Sequence, residues 1–258
     1  MVGSRNYFDT KIDGNFNIAL AHRQPGSAFK PFVYATAFTK GYSPDTVVFD
    51  VQTEFQSTCT PENKPISPEG NPDECYMPEN YDEIFRGPVS LRDALAQSIN
   101  IPAIKVLYLS GIADSIRTAQ RMGIESLTDP NRYGLTLVLG GGEVSLLDIT
   151  GAYGVFANNG IRNASHSILH IEDAQGNTLE NFEETPERVL DEQAALQISN
   201  VLSDNEARAP AFGEQSYLFF QGRDVAAKTG TTNDYRDAWI VGYTPSFAVG
   251  AWAGYNDN

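Results

Sequence analysis

Basic residues are scarce. Lys and Arg number 18 against 33 Asp and Glu, a formal charge of -15 over 258 residues, and no basic stripe with interleaved aromatics interrupts the acidic surplus. Such a chain repels a phosphate backbone, so no nucleic-acid partner is expected. Long apolar runs are missing too. None approaches the roughly 20 residues needed to cross a bilayer, and Met1 to Arg5 lack the charged and apolar regions of a signal peptide. Any anchor or export signal is therefore expected outside this chain.

Cysteine is nearly absent. Cys59 and Cys75 are the two present, both within a segment, 53–88, crowded with Pro, Asn, Asp and Glu. Their spacing matches neither Cys-x-x-Cys nor a zinc site. A disulfide clipping a long exposed loop, and with it an oxidising compartment, is the favoured reading, with two free thiols as the alternative. Metal ligands are sparse as well. His166 and His170 lie in a strand-like stretch that would spread them along a sheet, and no Cys or carboxylate joins them at ligand spacing, so no metal and no cofactor is expected. Gly140-Gly141-Gly142 is not followed by Gly-Lys-Ser/Thr and reads as a turn rather than a phosphate loop. The acidic group Glu180, Glu183, Glu184 and Glu187 reads as a solvated loop and helix entry, and Trp239 and Trp252 as strand packing.

What is present is enough apolar content, 41%, to bury one sizeable core, and one domain over 1–258 is expected. Gly26 and Ser27 open a helical pattern (Phe29, Phe32, Val33, Thr36, Ala37) that Gly41 closes, with Pro31 tolerated in the first turn. Ser90 with Asp93 and Ser145 with Asp148 mark two more helix starts. Stretches 101–109 and 114–122, divided at Gly111, and 191–202 complete a helical block, with a hairpin about Gln175-Gly176-Asn177. Three alternating runs, 223–232, 238–243 and 247–253, read as consecutive antiparallel strands. The opening residues read as the tail of a strand and the last as a strand cut at its turn, which suggests a piece truncated at both ends. The fold class is α+β, an antiparallel sheet flanked by helices with a helical subdomain.

Three motifs carry chemistry: Ser27-Ala28-Phe29-Lys30, Ser98-Ile99-Asn100 and Lys228-Thr229-Gly230-Thr231. Singly, each has a bland reading as a helix cap, a helix stop or an ordinary strand. Jointly and in this order they form an acyl-transfer signature. A serine hydroxyl is a weak nucleophile until a base takes its proton, and a lysine one helical turn on lies on the same face. Lys30 would have to be neutral, which requires lowering its pKa by roughly three units, about 4 kcal/mol. Burial and a second cation, Lys228, can do this, and the positive end of the helix near Ser27 acts in the same direction. Ser98 would relay the proton between the lysines, and Asn100 would hold a substrate amide. Gly230 would let the substrate backbone lie flat along the strand. The amides of Ser27 and Thr231 would form an oxyanion hole, with Thr229 and Thr231 beside Lys228 as a carboxylate receptor.

The blocks RQPGSAFKPFVYATAF, LAQSINIPAIKV, LTLVLGGGEVSLLDITGAYGVFANNG and AAKTGTTNDYRDAWIVGYTP extend these motifs across nearly the whole chain, and in them it resembles the transpeptidase domain of class A, bifunctional penicillin-binding proteins. Pro31 after Lys30 and Thr232 after Thr231 resemble class A rather than class B. The resemblance implies a fold shared with serine β-lactamases. It also implies acylation of Ser27 by the D-Ala-D-Ala end of peptidoglycan stem peptides, cross-linking to an acceptor amine, and β-lactam antibiotics as covalent inhibitors. It places the domain outside the cytoplasm, with a glycosyltransferase domain and a membrane anchor upstream and the fold's first strands and final helix missing. Hydrolysis of β-lactams is disfavoured because no Glu-x-x-Leu-Asn loop follows Ser98. A D,D-carboxypeptidase or a penicillin-sensing module stays open.

Overall fold

The computed structural model describes residues 1–256. Its helices are α1 (Lys30–Thr39), α2 (Leu91–Ala96), α3 (Asn100–Ser110), α4 (Ile112–Arg121), α5 (Leu146–Ala157), α6 (Glu192–Ser203) and α7 (Asn205–Phe212). The strands are β1 (Val47–Asp50), β2 (Cys59–Thr60), β3 (Lys64–Pro65), β4 (Gly87–Ser90), β5 (Ile161–Arg162), β6 (His170–Glu172), β7 (Thr178–Asn181), β8 (Glu187–Arg188), β9 (Ala226–Thr231), β10 (Asp237–Thr244) and β11 (Phe247–Gly254).

α1 organises the core. Lys30 to Phe38 are all buried, and a helix apolar on every side must be enclosed by others; here α3, α4 and α6 enclose it. Phe32 meets Phe29, Tyr153 and Phe156 at ring-centroid distances of 5.4, 5.6 and 5.6 Å, which ties α1 to α5. Thr36 satisfies its buried hydroxyl on Phe32 O and Thr118 Oγ1. The caps fall where the sequence puts them: Ser90 Oγ accepts from Asp93 N–H and Ser145 Oγ from Asp148 N–H.

α5 lies across a three-stranded antiparallel sheet of order β11-β10-β9. Its close approach needs Gly250, where a Cβ would stand 2.0 Å from Thr150 Oγ1. β10 buries Asp237, Trp239, Val241 and Tyr243 in strict alternation, the period-2 signature of a strand with one covered face. The register pairs Trp239 with Gly230 and Val241 with Lys228. Opposite residues share a face, so Lys228 and Gly230 point inward with the core while Thr229 and Thr231 turn away. β9 is an edge strand.

Several expectations need correction. Residues 1–9 form no strand; 3-10 turns occupy Thr10–Ile12 and Ile18–Leu20. In the three-stranded sheet, the first strand in the chain begins at Ala226, not 223. Glu180 lies on β7 and Glu187 on β8 rather than in a loop and helix entry, although both are exposed. α7 does not appear in the sequence pattern because Pro210 sits inside it; Asp204 caps it and packing carries the proline. The β1/β4 pair also went unread. It holds together the two ends of the Pro-rich segment, with Val48 opposite Val89 and Asp50 opposite Gly87.

Cys59 and Cys75 are joined in a disulfide across 16 residues of that segment. Closing a loop of this length stabilises by roughly 3 kcal/mol in the chain-entropy model. Nearer the base, Phe55 N–H donates to Tyr76 O (2.9 Å) and Tyr76 N–H to Glu54 Oε1 (2.8 Å), so the segment is anchored below the cross-link. Replacing both cysteines by serine is expected to lower the unfolding free energy by about 3 kcal/mol in urea titration; equal stability of the two proteins would contradict the loop-closure account.

Candidate active site

Ser27 sits in the 3-10 turn Gly26–Phe29 that runs into α1, one step earlier and tighter than the continuous helix expected from the spacing. Gly26 holds φ at 56°, and two close approaches fix the turn. A Cβ at Gly26 would stand 2.5 Å from Thr231 O and 2.7 Å from Thr231 N; at Gly140, 2.1 Å from Gly26 N. Tyr153 donates its buried hydroxyl to Ala28 O (2.7 Å). The triple glycine is thus a turn, as read, and it doubles as the floor beneath the Ser27 turn.

Gly230 has a packing reason of its own. A Cβ there would meet Pro25 O at 2.1 Å and Ala28 N at 3.0 Å. The glycine makes room for the Ser27 turn on the inner face of β9. The edge itself is available. Thr232 N–H donates to Asp237 O (3.1 Å), and antiparallel pairing alternates inward and outward amides, so the neighbouring Thr231 N–H points to the free edge beside Ser27.

Lys30 is fully buried. Its Nζ donates to Ser98 O (2.7 Å) and Asn100 Oδ1 (2.9 Å), with Ile99 O at 3.3 Å and Ser98 Oγ at 3.4 Å. Lys228 Nζ donates to Ser98 Oγ (2.8 Å) and Thr229 O (2.9 Å). The structure therefore gathers Lys30, Ser98, Asn100 and Lys228 into one contact set, with Ser98 between the lysines. Half-buried Ser27 forms no side-chain hydrogen bond among the described residues. Asn100 is more engaged than expected: its oxygen accepts from Lys30 and its nitrogen donates to Glu79 O (3.1 Å), leaving one amide hydrogen for any ligand.

Burial pushes the Lys30 pKa well below its usual 10.5, and the charge of Lys228 pushes it further. Lys228 is itself lowered to about 7, by burial first and then by Arg208. Arg208 is a third cation absent from the sequence reading. It lies buried on α7 with Nη1 donating to Leu202 O (3.3 Å), and an arginine inside a Pro-containing stretch carried no signal. With both lysines desolvated on either side of Ser98 Oγ, a doubly charged pair is costly.

Ser98 adopts φ 62°, the left-handed region that a non-glycine residue enters at a cost. Ser98 N–H donates to Leu95 O and Ile99 N–H to Ala94 O, the Schellman pattern that ends α2. The position after such a helix is ordinarily glycine. Keeping a serine there aims Oγ and C=O at two different lysines.

A cleft of about 550 Å³ opens elsewhere, lined by Arg92, Phe156, Gln197, Asn200, Asp224 and Tyr243 among others, and none of the motif residues lines it. Among the described residues no His, Cys, Asp and Glu cluster could hold a metal, and no helix is long and apolar enough to cross a membrane.

An α+β fold with a serine turn, a buried lysine and a lysine-bearing edge strand defines the active-site-serine penicillin-recognising class. The chain belongs to the penicillin-binding protein family: the model for its transpeptidase domain matches residues 1–255. It is 35% identical over 248 residues to penicillin-binding protein 1A of Neisseria meningitidis serogroup A (93% of this chain, 29% of that protein). It is 36% identical over 265 residues to that of Aquifex aeolicus (99% and 32%). The crystal structure of penicillin-binding protein 1A from Haemophilus influenzae matches with a TM-score of 0.76 at 25% identity, covering 95% of this chain and 40% of that one. Penicillin-binding protein PonA1 from Mycobacterium tuberculosis matches at 0.77, again at 25% identity, over 95% and 63%. The chain thus spans about a third of the length of these curated relatives, which are of the class A type.

Two outcomes test the geometry. Ser98→Gly and Ser98→Ala both remove Oγ, but only glycine relieves the left-handed backbone, so Ser98→Gly is expected to be the more stable of the two by about 1 kcal/mol in urea unfolding; equal stabilities would mean the backbone there is unstrained. Lys228 has its folded pKa depressed, so between about 7 and its ordinary value the unfolded chain binds a proton that the folded chain does not, and stability rises with pH across that window. Lys228→Met is therefore expected to raise the unfolding free energy by about 1–4 kcal/mol at pH 7 and below, with the gain fading as pH approaches 10.5; a variant less stable than wild type at pH 6 would refute the assignment of burial cost.

Proposed function

We propose that this domain is a peptidoglycan D,D-transpeptidase acting through an acyl-enzyme on Ser27. The single observation that carries the reading is Ser98 Oγ between Lys228 Nζ (2.8 Å) and Lys30 Nζ (3.4 Å), since it supplies a proton path between two buried lysines. Lys30, made neutral by burial, takes the proton of Ser27 Oγ; its two shorter bonds, to Ser98 O and Asn100 Oδ1, use both N–H groups of a neutral amine and leave the lone pair for the serine. The Ser27 oxygen then bonds to the carbonyl carbon of the penultimate D-Ala. The oxyanion lies against the amides of Ser27 and Thr231. As the C–N bond breaks, the proton passes by way of Ser98 to the leaving D-Ala amine. An amine of a second stem peptide repeats the sequence in reverse, forming the cross-link and releasing Ser27.

Thr229 and Thr231, whose side chains turn out from the core, would bind the terminal carboxylate with the charge of Lys228 behind them, and the free edge of β9 would pair with the extended peptide as an added strand. Gly230 contributes by admitting the Ser27 turn. A penicillin would acylate the same serine; solved relatives include PonA1 in complex with penicillin V. The relatives' type supports an extracytoplasmic domain anchored by a segment outside this chain, alongside a glycosyltransferase domain. Hydrolysis of the acyl-enzyme by water, giving a D,D-carboxypeptidase, differs only in the acceptor.

A fluorescent penicillin is expected to label the protein covalently. Ser27→Ala should abolish labelling, and Lys30→Ala should slow it by roughly 10²- to 10⁴-fold, the usual worth of a general base. Undiminished labelling of Ser27→Ala would sink the reading. Product analysis with stem peptide, with and without an added amine, separates transpeptidation from hydrolysis.

A further inference from the structure

The helix that carries Asn100 starts without a cap of its own. Ile99, at the N-cap position of α3, has no side-chain acceptor, and the first amides of a helix have no intrahelical partner. Two of them are met from the Pro-rich segment instead. Asn80 Oδ1 accepts the N–H groups of Asn100 and Ile101, each at 3.0 Å. Its Nδ2 donates to Asp50 Oδ1 (2.7 Å) and Ile84 O (2.8 Å). All four hydrogen-bonding positions of one buried side-chain amide are used, and the flipped amide would set donor against donor and oxygen against carboxylate.

Asp50 decides which way Asn80 faces. It is fully buried on the inward side of β1, and its other oxygen accepts Arg86 N–H (3.0 Å), with the Arg86 guanidinium 3.6 Å away. A buried carboxylate held from several sides is a rigid reference point. Beside it, Glu79 O accepts from Asn100 Nδ2, so the same stretch grips Asn100 by both backbone and side chain.

Every side-chain hydrogen bond of Lys30 Nζ ends on Ser98, Ile99 or Asn100. Those three residues hang between two fixed points: the Schellman end of α2 on one side and Asn80 on the other. We propose that Asn80, oriented by Asp50, is a positioning residue for acylation, holding the 98–100 loop in the one place where it can present its acceptors to Lys30. Asn80 touches no reacting group itself. A serine or threonine at position 99 would cap α3 as well for stability alone; a clamp from the segment between β1 and β4 makes the placement of the reacting loop depend on that strand pair.

This inference rests on the acyl-enzyme reading of Ser27, and the two fail differently. Saturation kinetics of acylation by a chromogenic penicillin would be measured on the full chain, with melting temperatures in parallel. Wild type that takes no label defeats the acyl-enzyme reading. With wild type active, Asn80→Asp keeps shape and both acceptor bonds to α3 but sets a carboxylate against Asp50. The limiting acylation rate is expected to fall by about 10- to 100-fold, as small misplacements of reacting groups do. The swap Asn80→Asp with Asp50→Asn restores a donor facing an acceptor at that contact, while Ile84 O stays without its donor, and is expected to recover part of that loss. Asn80→Asp acylating at the wild-type rate overturns the proposal, as does a swap that restores the melting temperature without the rate. If Asn80→Asp fails to fold, Asp50→Asn alone decides: a comparable fall in rate supports the clamp, and an unchanged rate overturns it.

Discussion

Two lysine side chains withdrawn from water, with one serine hydroxyl between them, set the terms for the rest of the molecule. A buried ammonium without compensation is among the more costly things a fold can hold. Here the cost is met partly by the acceptors of the 98–100 loop, and it shows as lowered pKa values for both lysines. Everything around the pair follows from keeping it dry and correctly spaced. Lys30 is fully buried at the start of the enclosed α1, the Ser27 turn covers the inner face of β9 at Gly230, and Arg208 lies buried on α7.

The glycines show how close the packing had to become. Gly26, Gly140 and Gly230 lie where three backbone segments meet with no room for a methyl group between them. The Ser27 turn is clamped between the 140–142 turn and the edge strand, and this proximity puts the Thr231 amide beside the serine. Gly230 shows that a motif residue can be required by packing: it accommodates the turn that carries Ser27.

Ser98 and Asn80 illustrate two ways of spending stability on placement. Ser98 accepts a left-handed backbone so that one residue can serve two lysines. Asn80 commits a whole buried amide, and through it a buried carboxylate, to holding the start of one helix. Neither arrangement improves the core. Both restrict where three consecutive residues can lie, and those residues supply the backbone and side-chain acceptors of Lys30 Nζ.

Much of this was legible in the chain. The caps at Ser90 and Ser145, the break at Gly111 and the three alternating runs at the C-terminal end follow from local rules of spacing and hydrogen bonding, which is why they could be read without a structure. So could the trio of motifs, whose Lys30, Ser98, Asn100 and Lys228 the fold brings into contact. The tertiary structure alone decided what depends on contacts between distant residues. The pairing of β1 with β4, Arg208 within a Pro-containing helix, Asn80 reaching residues 20 positions away, and the inward direction of Gly230 leave no periodic trace, since each partner is supplied by another part of the fold. The sequence determined which ionisable and hydroxyl side chains were available. The packing determined their burial and their spacing, because desolvation is a property of the enclosure and not of the residue.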